Sequence, residues 1–599
     1  MRRLPLPLAA ALLLAAPSAT AQAPAQPTRA LPLIGDACRA EIDARLAFGL
    51  CPDSTFDFYA SGAYREGVPR PEQVLGYPLG SWHTTYGRME AFLDTLARSA
   101  SDRVRVFDYG SSIERRTMHL VAVSSAANIA RLEAVRAGLD RLADPRVTDE
   151  AAAARLAAEL PIVVWINAAN DGNETAAFEA AIQLAYQLAA GEDERTRGLR
   201  AGAVTLINLA HNPESHERMV AWYNAFVQGD PDPLALEHRA PWGMSTNNNH
   251  YQFDLNRDGL GLTQTETRAV VAELRRWHPQ VFVDLHGQTT QYYFPPPAIP
   301  VNPVYPEFMN TWWETFGQGN AAAFDAHGWS YYTRDVFDLY YPGYWDTYPS
   351  LHGATGMTYE TDGGGSKGVR WRRDDGTILT FADGIAHHYV ASLATVETAV
   401  RHREARLLDY WRFYAAGMAM PRESGLRTVV LLPAAPGDAG DADRLATTLL
   451  RHGIEVRRAR GAATITGTDY LSGRRAPTRV PAGAYIIDLA QPLGLLAHTL
   501  LVPDIEMPEA FAAQELEKYV RNARRAPGER EGYAFYDVTA WNLALAAGVP
   551  AIWAADAPAI DAEPLALPED ALRAPGGFPG DVAWRTTGGT DARAASAYV

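Results

Sequence analysis

The chain has 599 residues, of which 47% are hydrophobic and 21% charged, ordinary globular proportions that exclude a fibrous or intrinsically disordered protein. A formal net charge of −16 argues against nucleic acid and anionic membrane surfaces as partners. The length suits two or three domains.

The chain begins with a basic pair, Arg2 and Arg3, then an apolar run from Leu4 to Ala16 and small residues at Ala19-Thr20-Ala21. This is the pattern of a secretory signal, so residues 1–21 are expected to be removed and the protein to be secreted or periplasmic. The run is too short to span a bilayer, and no later stretch is long and uncharged enough to do so. Residues 22–77 read as a Pro-rich N-terminal extension. It holds both cysteines, Cys38 and Cys51, which an oxidising compartment is expected to join in a local disulfide.

Helical spacing of Met89, Phe92, Leu93 and Leu96 predicts a helix from Tyr86 to Ser99, followed by a strand over Arg103–Tyr109. Gly110–Arg116 reads as a hairpin connection into Met118–Val123, and the Ala- and Arg-rich stretch from Ala126 to Leu160 as surface helices. Ile162–Ile166 is a short β-branched and aromatic run, hence a buried strand. It gives way to the polar stretch Asn167–Glu174 and then to a helix over Thr175–Ala190.

Polar residues crowded at a strand-to-helix handover lie at the carboxyl edge of a sheet, where open α/β folds place ligands. Asp171 and Glu174 are three apart and can aim at one point, a candidate metal site. Similar junctions recur. Val204–Asn208 runs into His211-Asn212-Pro213-Glu214, Val281–Leu285 ends on His286-Gly287, and Gly356–Tyr359 delivers Glu360 ahead of Asp362 and three glycines. Taken singly, His286 reads as a structural hydrogen-bonder and Glu360 as a solvated turn residue. Their succession at strand ends argues for one shared site on a mixed, largely parallel α/β sheet with helices on both faces.

From about Pro78 to Arg401 the chain resembles a zinc carboxypeptidase of the pancreatic type, in the branch of larger secreted bacterial members. In that family a His-x-x-Glu and a later His bind zinc. An Asn-Arg pair and a Tyr hold the substrate's terminal carboxylate, an Arg polarises the scissile carbonyl and a Glu is the base. The resemblance places Glu174 and His286 as metal ligands, Asn256 and Arg257 as the carboxylate-binding pair, Arg239 as the polarising arginine and Glu360 as the base. Tyr340 or Tyr341 falls where the capping tyrosine belongs. It implies a secreted metallocarboxypeptidase with one Zn²⁺, acting on the C-termini of peptides or proteins. A metal-dependent amidase or deacylase and an inactive peptide-binding pseudo-peptidase are the alternatives.

The chain departs from the family at one ligand: Asp171 stands where the first histidine belongs. Two carboxylates and one imidazole cancel the charge of a divalent ion, whereas one carboxylate and two imidazoles leave it at plus one. The site should therefore hold zinc more weakly, acidify water less and lean toward harder ions. Asp171, Glu174 and His286 are expected to converge, with Glu360 facing the same point. His211 is a candidate replacement ligand, although packing or exposure is the first expectation for it.

The peptidase-like domain is read as residues 78–410, closing on a helix from Ile385 to Leu408. A smaller C-terminal α/β domain is read over 420–575 and a loose tail over 576–599. Thr428–Leu432, Ala442–His452 and Gly453–Val456 read as strand, helix and strand. Asp537 and Trp541 read as core structure rather than as a sugar site.

Overall fold

The structure, a computed structural model, describes residues 56–239, 247–288, 291–362, 368–373, 376–433, 440–534 and 540–567. The signal segment, both cysteines, Asp537 and the tail after residue 575 lie outside the described residues.

Among the described residues twelve strands precede the C-terminal sheet: β1 Val104–Ser111, β2 Thr117–Val123, β3 Ile162–Ala168, β4 Ala203–Asn208, β5 Val281–Gln288, β6 Tyr292–Tyr293, β7 Ala298–Val301, β8 Tyr331–Tyr332, β9 Asp338–Leu339, β10 Thr355–Asp362, β11 Arg370–Arg372 and β12 Ile378–Thr380. Eight of them form one sheet in the order β1-β2-β4-β3-β5-β10-β6-β8. Its centre, β4-β3-β5-β10, is wholly parallel, while β1 and β2 join antiparallel at one edge. Every residue of β3 is buried. That is why its sequence is a continuous apolar run rather than an alternating one: helices cover both faces of a parallel sheet.

The helix Thr175–Ala190 is likewise buried along its whole length, which explains its Ala-rich composition. It packs against the helix Phe381–Arg401, whose start is fixed by a capping box between Thr380 and Asp383. Tight backbone approach is paid for in side-chain size at Gly172, where a Cβ would collide with the backbone of His216. The loop after β3 is thereby pressed onto the start of the helix that follows β4, Pro213–Phe226.

The elements over 86–99 and 175–190 match the reading from periodicity residue for residue. The closing helix differs. It is two helices, Phe381–Arg401 and Arg403–Ser424, broken at His402. The break falls in the charged run Arg401-His402-Arg403-Glu404, all residues that a continuous helix also accepts, so periodicity alone does not mark it. Within 22–77, the described part includes a short helix, Pro71–Leu75, started by Pro at N1 and stopped by Gly76 in the left-handed region.

The C-terminal half carries a second, seven-stranded sheet. Its order is Arg475–Val480, Ala463–Asp469, Ala551–Ala554, Thr428–Leu431, Tyr485–Asp488, Arg457–Ala459 and Ala562–Pro564. All of these neighbours pair antiparallel. The strand after the helix Gly440–His452 is Arg457–Ala459, not Gly453–Val456. Gly453 has φ +92, so this stretch turns the chain instead of extending it. The principal apolar core runs without a break from Val68 through the first sheet to Trp541 and Ala551 of the second half.

One carboxylate in this core has a pH consequence. Glu179 is fully buried and accepts hydrogen bonds from the Thr84 amide at 2.6 Å and the Thr84 hydroxyl at 2.9 Å. Burial pushes it up to about 8, against those two donors. Because the folded value lies above that of the unfolded chain, its favourable contribution is complete below about pH 4.5 and is lost as pH rises through about 8. Glu179→Gln should therefore gain stability relative to wild type across that window, at no more than about 1.4 kcal/mol per pH unit. Denaturation midpoints of both proteins at pH 5, 7 and 9 check this; parallel profiles would refute it.

Candidate metal centre

The site is assembled by strand register. Asn208 pairs with Asn167, Asn167 with Asp284, and Asp284 with Thr358, so one row of polar side chains crosses β4, β3, β5 and β10. Two residues further along, on the same face of the pleat, His286 pairs with Glu360 and Glu360 with Tyr293. Both rows lie at the carboxyl end of the parallel strands. β3 ends in Ala168, and Ala169 turns the chain at φ +52, an uncommon conformation for a residue with a Cβ. The loop that follows brings Asp171 and Glu174 over the second row.

Asp171, Glu174 and His286 offer ligand atoms that all lie within 4.8 Å of one another. His286 Nδ1 is 2.9 Å from Glu174 Oε2 and 3.4 Å from Asp171 Oδ2. Its other nitrogen, Nε2, lies 2.6 Å from Asp284 Oδ2. The same Asp284 accepts from Asn167 at 2.7 Å and from Asn170 at 3.0 Å. Asn167 Oδ1 accepts from Asn208 at 2.8 Å, and Asn208 Oδ1 from the Tyr109 hydroxyl at 3.0 Å. His388 fixes the backbone of the same residue, donating to the His286 carbonyl at 2.8 Å. Nδ1 is thus the nitrogen turned toward the two carboxylates, and Asp284 sets the ring's orientation from behind.

Charges in the cluster are strongly coupled. Burial works against the charged imidazole, but Asp284, Asp171 and Glu174 outweigh it and hold His286 well above the usual histidine range. Burial would raise Asp284, yet His286 and the Asn167 amide hold it below its ordinary value. Glu174 is pushed up to about 7 by burial and by Asp171, against His286 and the Gly287 amide. Burial and then Glu174 hold Glu360 well above the carboxylate range, and burial and then Asp171 raise Asp254. The cluster carries more carboxylates than its cations balance. Asp171 Oδ1, Glu360 Oε2 and Asn256 Oδ1 are buried without a hydrogen-bond partner. Acceptor-only oxygens left bare around an imidazole nitrogen are the donor set of a divalent cation, so these residues fit a metal ion.

The remaining predicted residues are distributed unevenly. Glu360 is buried beside His286. Asn256 Nδ2 reaches to 3.5 Å from His286 Nε2, and the Arg257 guanidinium lies over the Tyr344 ring at 4.6 Å. Tyr341 donates to the Arg257 carbonyl at 3.3 Å. Tyr340 turns away from the cluster and donates to the Glu506 carbonyl at 3.2 Å. Arg239 is exposed and donates to the Leu234 carbonyl at 3.2 Å, bordering residues 240–246, which lie outside the described residues. His211 is buried; its Nδ1 lies 3.1 Å from the Asn167 amide and its ring packs edge-on to Trp345 at 4.4 Å. It is not among the converging ligand atoms, so packing is its place here.

Asp284, Asn167, Asn170 and His388 had no role in the sequence reading. Asp284 was within reach of it, because residues two apart on a strand share a face and Asp284 stands two before His286. His388 sits in a helix a hundred residues on, and only the fold brings it near.

Residues 89–311 match the family model described as zinc carboxypeptidase, so the resemblance read from the motifs is borne out for this segment. It includes Asp171, Glu174, Arg239, Asn256, Arg257 and His286, and ends before Tyr340, Tyr341 and Glu360. No curated protein matches the chain. Among solved structures, a metallo-carboxypeptidase from Burkholderia cenocepacia is 14% identical, with 54% of this chain and 70% of that chain covered and a TM-score of 0.35. Thrombin activatable fibrinolysis inhibitor is 13% identical over 56% of this chain and 79% of that chain, TM-score 0.38. Carboxypeptidase A from Helicoverpa armigera is 16% identical over 57% and 79%, TM-score 0.36.

The donor set generates a prediction about affinity. Asp171→His replaces a hard oxygen ligand by an imidazole and removes one carboxylate from a crowded cluster. Zinc should bind more tightly, by on the order of tenfold, while manganese gains little or weakens. Calorimetric titration of apo-protein with each ion separates the two. Equal affinities for zinc in wild type and variant would mean that Asp171 is not a ligand.

Proposed function

We propose that the protein is an exported metallocarboxypeptidase that removes C-terminal residues from peptides, using an ion held by Asp171, Glu174 and His286. The observation that carries this reading is the convergence of those three ligand atoms within 4.8 Å, with Glu360 in register beside His286. Zinc is the ion that the family implies, and the second carboxylate leaves room for a harder divalent ion. The signal-like residues 1–21 are the basis for export, and among the described residues no helix is long and apolar enough to cross a membrane. The same reading divides the chain into a peptidase domain over 78–410 and a C-terminal domain over 420–575.

A bound ion supplies a water of lowered pKa and a Lewis acid for the scissile carbonyl. Glu360, buried and with a bare carboxylate oxygen, takes the attacking water's proton and returns it to the leaving amine. Arg257 and Asn256, at the rim of the same cluster, grip the free terminal carboxylate through charge-assisted hydrogen bonds and so select a chain end. Arg239 is assigned to the oxyanion that develops on the carbonyl, and Tyr341 to closing the carboxylate pocket.

Two variants test these roles. Glu360→Gln keeps the shape of the side chain but cannot accept a proton, so turnover should be abolished with metal content unchanged. Steady-state rates on N-acylated dipeptides and elemental analysis of the same sample decide it; substantial residual activity would show that Glu360 is not the base. Arg257→Ala should lower kcat/KM on free-carboxyl peptides by an amount worth about 2–4 kcal/mol. C-terminally amidated peptides should be poor substrates of the wild type. Equal wild-type rates on acid and amide would favour an amidase on the same fold, and a metal-loaded protein inert on all of them a pseudo-peptidase.

A further inference from the structure

The segment that carries Asn256 and Arg257 is a short 3-10 turn, Leu255–Arg257. Residues 340–348 support it. Trp345 Nε1 donates to the Leu255 carbonyl at 2.9 Å, and the Tyr341 hydroxyl to the Arg257 carbonyl at 3.3 Å. The Tyr344 ring underlies the Arg257 guanidinium at 4.6 Å and meets the Tyr341 ring edge-on at 5.0 Å. A Cβ at Gly259 would meet the Gly343 carbonyl at 2.6 Å, so the two segments touch through backbone.

This supporting segment is itself braced from the second half of the chain. Trp541 is 6% exposed and packs edge-on against Tyr340 at 5.1 Å and Tyr341 at 5.9 Å. Its Nε1 donates to the Thr499 carbonyl at 3.0 Å, anchoring it to the helix Gly494–Leu501. Tyr340 donates to the Glu506 carbonyl in the same region. A second brace, His452, donates through Nε2 to the Leu260 carbonyl at 3.0 Å and accepts from the Tyr348 hydroxyl at 2.8 Å.

The geometry points to Trp541 as a positioning residue of the substrate site: through Tyr341, the C-terminal half sets where Arg257 stands and hence how tightly a terminal carboxylate is held. This rests on the reading of Arg257 as the carboxylate-binding residue. The metal ligands are held separately, by Asp284 and the strand register, so the brace acts on substrate binding and leaves the ion alone. Truncating Trp541 opens a void under Tyr340 and Tyr341, and the Arg257 carbonyl loses a fixed partner. Small displacements of a binding group are costly because carboxylate recognition depends on angle as well as distance.

The test uses the full-length, metal-loaded protein and an N-acylated dipeptide, as free acid and as C-terminal amide. Trp541→Ala should raise KM for the acid by on the order of tenfold, with kcat and metal content close to wild type and the preference for acid over amide reduced. Trp541→Phe, which keeps ring contact with both tyrosines, should recover most of the loss. A folded Trp541→Ala protein with unchanged KM and unchanged preference overturns the proposal. If Trp541→Ala does not fold, Trp541→Leu carries the test, since it keeps an apolar side chain in place but removes the ring packed on Tyr340 and Tyr341. A raised KM there supports the brace, and an unchanged one overturns it. Arg257→Ala, run in parallel, separates the two levels. If it raises KM and the Trp541 variants do not, the brace alone fails. If it leaves KM for the acid unchanged, the carboxylate reading fails and the brace falls with it.

Discussion

The site depends on one buried carboxylate, Asp284. It is fully enclosed, and a lone ionised carboxylate in such a place is untenable unless it is paired and hydrogen-bonded. Here the His286 ring lies 2.6 Å away and the side-chain amides of Asn167 and Asn170 donate to it. The asparagines come from the end of β3 and the loop after it, and His286 from two residues along β5, so satisfying Asp284 also fixes that loop, the orientation of His286 and the register of β3 against β5. The asparagine row through Asn167 and Asn208 to Tyr109 extends that constraint to the antiparallel edge of the sheet.

In front of Asp284 the arrangement is the reverse. Asp171 and Glu174 approach one imidazole and Glu360 pairs in register beside it, with Asp171 Oδ1 and Glu360 Oε2 left bare, and Glu174 and Glu360 are both raised by burial and by neighbouring carboxylates. A polar row whose members satisfy one another lies beneath a row whose members do not. Structural groups tend to be mutually satisfied, and groups that await a ligand are left short. The substitution of Asp for His at position 171 deepens that shortage, which makes the cluster a stronger attractor for cations in general and a less selective one for zinc.

Much of this was legible beforehand because strand ends announce themselves. Ile162–Ile166 and Val281–Leu285 are apolar runs that stop abruptly at polar residues, and periodicity located Thr175–Ala190 to the residue. Asp171, Glu174 and His286, marked by the polar loop after a strand and by the resemblance, offer ligand atoms within 4.8 Å of one another, and Glu360 pairs in register with His286. What the sequence could not reveal lies in contacts between distant segments. The antiparallel pairing of the C-terminal sheet, the break at His402 and the ring of Trp541 against Tyr340 are decided by tertiary packing, on which local pattern is silent. Trp541 was read as core, and it is core.

The principal hydrophobic core is continuous across both sheets, from Val68 to Ala551, and among the described residues a small separate cluster gathers Val430, Ile465, Ile486 and Ile552 of the second. The two sheets therefore share one apolar interior. A chain cut between Gly425 and Thr428 would leave apolar surface bare on each side, and neither fragment would have a complete interior. Heat or denaturant should then meet one cooperative unit and not two, and the newly made first sheet would wait, unfinished, until the last of the C-terminal strands had been delivered.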